Sequence, residues 1–242
     1  MKTVIFKISL LLLLLVIITS CTKKNAVSPS KKLSYQFKVT ATAIPLSANI
    51  NSSTLNTAAG TSITWQSGYA NVSSISFDGQ NQNDNNSNNE ENNFSEPQVY
   101  KVDLFSSNQL LGNIDIATGI YHNVEIKVEL KQTLTDSALF LKGIYTSVSG
   151  NIPVELSLNG NNGGLLEIPV SAQDLTIGTM DSYIALINLH LDKLIIGLTS
   201  ADLDSATITN GSILIDSSNN ITIYNKIQAN INNFSDGNYN ND

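Results

Sequence analysis

Downstream of residue 34, polar and apolar residues alternate with a period of two over most of the chain. That is the pattern of strands with one face buried and one face wet. The clearest run is HNVEIKVELK: His122, Val124, Ile126, Val128 and Leu130 share one parity, and Glu125, Lys127, Glu129 and Lys131 share the other. It predicts an antiparallel strand whose charged face meets water. Tyr35, Phe37, Val39, Ala41 and Ala43 alternate in the same way with Gln36, Lys38, Thr40 and Thr42. Further strands are predicted over 62–66, 69–77, 98–105, 110–117, 138–146, 152–159, 165–170, 174–178, 183–191 and 212–216. Asp78-Gly79, Thr118-Gly119, Asn159-Gly160, Gly163-Gly164 and Asn210-Gly211 supply turns between many of them. Short strands with frequent turns predict an all-β fold, an antiparallel β-sandwich over 35–234, with a closed barrel as the alternative.

Helical spacing is rare. Leu191, Leu194, Ile195 and Leu198 suit a short helix following a strand, and Ile223, Tyr224, Ile227, Ile231 and Phe234 suit a second one near the C-terminus. Two segments have nothing to bury. Residues 79–97 are almost entirely Asn, Gln, Asp, Glu and Ser, and are expected to form a disordered loop between strands. Residues 235–242 are polar and expected to fray.

The first twenty residues depart from the alternation. Lys2 and Lys7 precede an apolar run from Ile8 to Ile18, the layout of a secretory signal peptide and too short to span a bilayer. The run stops at Cys21, which is the only cysteine in the 242-residue chain. Ile18-Thr19-Ser20-Cys21 resembles a bacterial lipobox, which implies cleavage before Cys21 and acyl chains such as palmitate on that residue. Each buried acyl methylene adds ~0.8 kcal/mol of membrane affinity. An unpaired thiol in an exported chain is otherwise a reactive liability. Residues 21–34, polar and containing Lys23, Lys24, Lys31 and Lys32, read as a tether between lipid and domain.

Removing residues 1–20 takes away Lys2 and Lys7 and moves the formal charge from −7 to −9. An acidic surface disfavours nucleic acid, whose phosphates need a basic footprint. With Cys21 spent on lipid, neither disulfides nor thiolate metal sites can support the fold, and hydrophobic burial must do so.

The segments GIYHNVEIKVELK, ALFLKGIYTSVSGNIPVELSL, INLHLDKLIIGL and NGSILIDSSNNITIYNKIQANI look like those of uncharacterised outer-membrane lipoproteins of Bacteroidetes-type bacteria. The likeness covers roughly 35–232 and includes the Gly119-Ile120-Tyr121 turn before the long amphipathic strand. It implies a lipobox followed by one all-β domain of unknown function, on either face of the outer membrane. It brings no catalytic residues with it.

Chemistry-bearing residues are sparse. His122 and His190 show no metal-binding spacing, so haem or metal capture would need both rings to converge. Asp78, Asp84, Glu90 and Glu91 are the candidate calcium ligands. Counted from Asp84, however, Asn89 and Ser95 stand where an EF-hand needs Gly and Glu. No cofactor is implied. There is no Gly-x-Ser-x-Gly elbow and no phosphate-binding glycine loop. Asp103, Asp115, Glu125 and Glu155 could pair for glycoside cleavage only if folding brings them together. Trp65, Tyr69, Tyr100, Tyr121 and Tyr145 are candidates for a sugar platform, against the commoner fate of aromatics as core. Asp136-Ser137-Ala138 and Asp204-Ser205-Ala206 resemble O-glycosylation acceptors of Bacteroidetes-type periplasms, with Ser137 and Ser205 as the acceptor residues.

Two functions are compatible with this inventory, with calcium or haem binding as a weaker third. The first is a non-catalytic binding, structural or adhesion component of the cell envelope, anchored by lipid and meeting a protein or glycan partner. The second is an envelope glycan hydrolase built on paired carboxylates.

Overall fold

The computed structural model describes residues 30–47, 57–82, 92–106, 110–160, 165–171, 174–178 and 182–241. The strands are β1 (Ser30–Thr40), β2 (Ala43–Ser47), β3 (Thr57–Asn81), β4 (Asn92–Asp103), β5 (Leu110–Ala117), β6 (Gly119–Lys131) and β7 (Leu139–Ser147). They continue with β8 (Gly150–Leu158), β9 (Leu165–Ser171), β10 (Leu175–Ile177), β11 (Ser182–His190), β12 (Ile208–Thr209), β13 (Ser212–Ile215) and β14 (Ser235–Asn241). Three short helices, α1 (Leu191–Leu194), α2 (Ser200–Asp204) and α3 (Ile221–Gln228), and a 3-10 turn at Ile231–Asn233 fill the gaps between the last strands. None of the described helices is long and apolar enough to cross a membrane.

The fold is an all-β sandwich of two sheets, as the alternation predicts. One sheet has the order β14-β11-β1-β5; the other runs β10-β6-β3-β7-β8-β13-β12, with β2 and β4 also on β3 and β9 on β6. Most ladders are antiparallel, but β1 with β11 and β8 with β13 are parallel. Parallel pairing needs a crossover connection rather than a tight turn, and β1 meets β11 some 150 residues later. Between β1 and β2 the chain changes sheets at Ala41, whose φ of 53° is the left-handed turn that re-aims it. Side chains from both sheets meet in one cluster, in which Leu33, Tyr35, Ile63, Ile75, Phe77, Tyr121, Ile126, Leu130, Tyr145 and Phe234 are fully buried. Each large apolar side chain so enclosed contributes ~1.5–3 kcal/mol.

The stretches 62–66 and 69–77 belong to a single 25-residue strand, β3. Its register shifts between Trp65 and Ser67 and again between Val72 and Ser74. Each extra residue reverses which side chains face inward. The buried set therefore runs Ile63, Trp65, then Ala70, Val72, then Ile75, Phe77. A similar step in β6 comes from Asn123 at φ 52°. Upstream of it Tyr121 takes the inward position and His122 turns outward, rather than sharing the face of Val124 as strict alternation expects.

Three boundaries differ from expectation. Residues 30–34, read as tether, begin β1 and pair with both β5 and β11. Of the loop expected at 79–97, residues 79–81 end β3 and 92–97 open β4, while 83–91 lie outside the described residues. Residues 235–241, expected to fray, form β14 against β11. Low strand propensity is overridden there by a backbone ladder of seven paired positions, by buried Gly237 and by side-chain contacts of Asp236.

The helices are locally specified. Thr199 and Asp202 form a reciprocal capping box at the start of α2. Asp202 also binds Lys226 of α3 through both oxygens at 2.8 Å. Partial burial opposes ionisation of Asp202, but Lys226 and Thr199 outweigh it and hold its pKa below the ordinary carboxylate value.

Candidate functional site

The best-connected polar cluster sits where β1, β11 and β14 meet. His190 ends β11; its Nε2 lies 2.7 Å from Asp236 Oδ2, and its Nδ1 lies 3.0 Å from Thr40 Oγ1. Asn188 donates to the other oxygen, Asp236 Oδ1, at 2.8 Å, and Lys193 Nζ stands 3.8 Å from Oδ2. Partial burial raises the Asp236 pKa, but the bonds from Asn188 and His190 and the charges of His190 and Lys193 outweigh it, leaving the carboxyl below its usual range. Two proton arrangements satisfy the ring. A neutral imidazole donates from Nε2 to Asp236 and accepts the Thr40 hydroxyl at Nδ1. A protonated one donates both ways, and the hydroxyl turns to the Leu189 carbonyl 3.4 Å away. Hydroxyl, imidazole and carboxylate in line is the order used to activate a nucleophile. In this position the three side chains also fasten the C-terminal strand to the sheet.

A second cluster joins the core to the surface of α2. The fully buried Tyr145 donates to Asp204 Oδ1 at 2.7 Å and lies 3.3 Å from the Ser200 carbonyl. Burial first, and the Asp204 carboxylate second, raise its pKa strongly, so the phenol stays a donor. It fixes α2 over the end of the core.

The third cluster is on the outer face of the larger sheet. Tyr69 of β3 stacks on Phe140 of β7, with ring centroids 5.3 Å apart and planes 24° apart. Lys101 Nζ sits 3.8 Å above the Tyr69 ring and 3.0 Å from Asp136, which also accepts from the Tyr69 hydroxyl at 3.2 Å. Asn71 donates to the Ser137 carbonyl at 2.8 Å, so the β6–β7 loop is strapped to this face.

These clusters redistribute the residues singled out in the sequence. The two histidines do not converge: His122 binds Asp174 at 2.8 Å, and His190 binds Asp236. Among the described residues no three His, Cys, Asp or Glu side chains gather around a common point. Asp78 is exposed at the end of β3; Asp84, Glu90 and Glu91 lie outside the described residues, as does Cys21. The four carboxylates proposed for glycoside cleavage face separate partners or solvent. Asp115 pairs with Lys32 at 2.7 Å, Glu155 with Lys142 at 2.9 Å, and Asp103 accepts the Phe105 amide at 2.9 Å, while Glu125 is exposed on β6. Trp65, Tyr121 and Tyr145 are core; Tyr100 is 46% exposed, and Tyr69 is held between Lys101 and Phe140. Ser137 is half-buried. Ser205 is exposed, but its hydroxyl donates to Ala201 O at 2.8 Å at the end of α2.

Sequence reasoning missed Thr40, Asp236, Asp204 and Phe140. The Thr40–His190 and His190–Asp236 contacts bridge 150 and 46 residues, so no local spacing signals them. No family model, curated protein or solved structure matches this chain. What fold and clusters define together is an all-β sandwich whose C-terminal edge strand is fastened to its sheet by a histidine–carboxylate clasp.

Proposed function

We propose that the protein is a lipid-anchored component of the bacterial cell envelope, attached to the outer membrane through acylated Cys21. Its role is binding or structural rather than catalytic. The observation that carries this reading is the apolar run ending in Ile18-Thr19-Ser20-Cys21, in a chain with no second cysteine. Partnered carboxylates and mostly buried aromatics are consistent with a scaffold that presents surfaces.

Replacing Cys21 with serine tests the anchor, because it removes the acylation site and keeps the side-chain size. Wild-type protein is expected in the detergent phase and the outer-membrane fraction, and C21S is expected to lose both. C21S reaching the outer membrane as efficiently as wild type would overturn the reading. So would steady turnover of glycosides or esters by the purified protein.

A further inference from the structure

The outer face of β7 and β8 carries an arrangement that the core does not require. On β7, Leu139, Leu141 and Gly143 are buried, while Phe140 is half-buried and Lys142 exposed on the opposite, wet face. β8 places Ser157 directly opposite Phe140 and Glu155 opposite Lys142. On the other edge of β7, Tyr69 is the partner of Phe140. β4 and β7 flank β3 on opposite edges at Tyr69, and its ring meets both Lys101 of β4 and Phe140 of β7. The second face of Phe140 then turns toward β8, where its neighbour is the small Ser157. Among the described residues Phe140 has no ring contact besides Tyr69, and the Ser157 hydroxyl has no hydrogen-bond partner. Lys142 and Glu155, side chains 53% and 29% exposed, pair at 2.9 Å beside this slot and keep further donors and acceptors toward water.

We propose that this slot is a saccharide-binding site. A pyranose presents a flat C–H face to an aromatic ring and a rim of hydroxyls to nearby donors and acceptors. Phe140, stiffened by the Lys101–Tyr69 stack behind it, supplies the ring. Ser157, Lys142 and Glu155 supply the rim. Charges are compensated in pairs, Lys101 with Asp136 and Lys142 with Glu155, and Asp103 adds a further negative charge opposite Tyr69. The ligand is therefore a neutral saccharide and not a uronate or phosphate. The proposal rests on the binding reading above and names its ligand class.

The test uses the full-length protein in a detergent without a sugar headgroup. Cellohexaose, laminarihexaose, maltohexaose and chitohexaose are titrated separately by saturation-transfer NMR and calorimetry. Saturable binding of at least one is expected. F140L, which keeps volume but loses the ring, is expected to weaken it at least tenfold. S157R, which fills the slot from a wet-face position, is expected to abolish it with an unchanged melting temperature. No saturable binding by any of the four, or wild-type affinity in S157R, overturns the proposal. Should F140L fail to fold, S157R decides alone. Acylated protein that binds no saccharide would sink this inference and leave the envelope reading standing; saccharide binding without acylation would do the reverse.

Discussion

Gly143 lies in β7 where its strand crosses Trp65 of β3. A Cβ at this position would stand 2.4 Å from the Thr64 carbonyl oxygen and 3.0 Å from both Cα and Cε3 of Trp65. Two of these three atoms are backbone of the neighbouring strand, and the third belongs to an indole only 2% exposed. Relief to ordinary contact demands a shift approaching ~1 Å in a ladder and a packed core that both resist it. Overpacking of this kind costs ~1–3 kcal/mol. The rigid neighbours place G143A in the upper half of that range, and reduced chain entropy in the unfolded state returns ~0.4–1 kcal/mol. The net loss is about 2 kcal/mol, or a fall in melting temperature of about 4–8 °C for a domain of this size. Gly178 is the control, because a Cβ there meets only the Tyr183 hydroxyl at an ordinary 3.4 Å. G178A should stay within ~0.5 kcal/mol of wild type. Thermal unfolding of the three proteins decides the matter. A G143A melt within about 1 °C of wild type, or an equal loss in G178A, would refute the packing argument.

Y145F removes the hydroxyl that donates to Asp204 while keeping the ring, and should cost ~1–2 kcal/mol, read as a lower urea midpoint at unchanged slope. The Asp236 pKa is depressed in the folded state, so its stabilisation is present above the unfolded value of ~3.9 and is lost as pH falls through the folded value. Wild type should therefore exceed D236N by ~0.5–1 kcal/mol at pH 5–6, a figure discounted for the 42% exposure of the carboxyl, and the gap should close below about pH 4. A gap that widens on acidification would contradict the clasp.

The alternation of Val124, Ile126, Val128 and Leu130 was legible because β6 keeps one phase there, and all four residues are buried. β3 was not legible as one strand, because the bulge between Trp65 and Ser67 reverses its phase and makes it look like two. β14 was illegible for a different reason. Ser, Asp, Gly and Asn disfavour strands individually, and only the partner strand β11 supplies the ladder that holds them. The capping box at Thr199 and Asp202 has a local spacing of three and could have been found in the sequence. The Thr40–His190–Asp236 contacts have no such signature, since three strand ends distant in sequence create them. Phe140 was hidden too: it occupies the polar parity of β7, and only the ladder sets Ser157 of β8 opposite it.

The N-terminal attachment is measured most directly on the mature polypeptide itself. Mass spectrometry of protein extracted from native membranes should show a chain that begins at Cys21 and carries a diacylglyceryl group, with or without a further amide-linked fatty acid. A mature N-terminus at any other residue, or an unmodified thiol at position 21, would contradict the envelope anchorage.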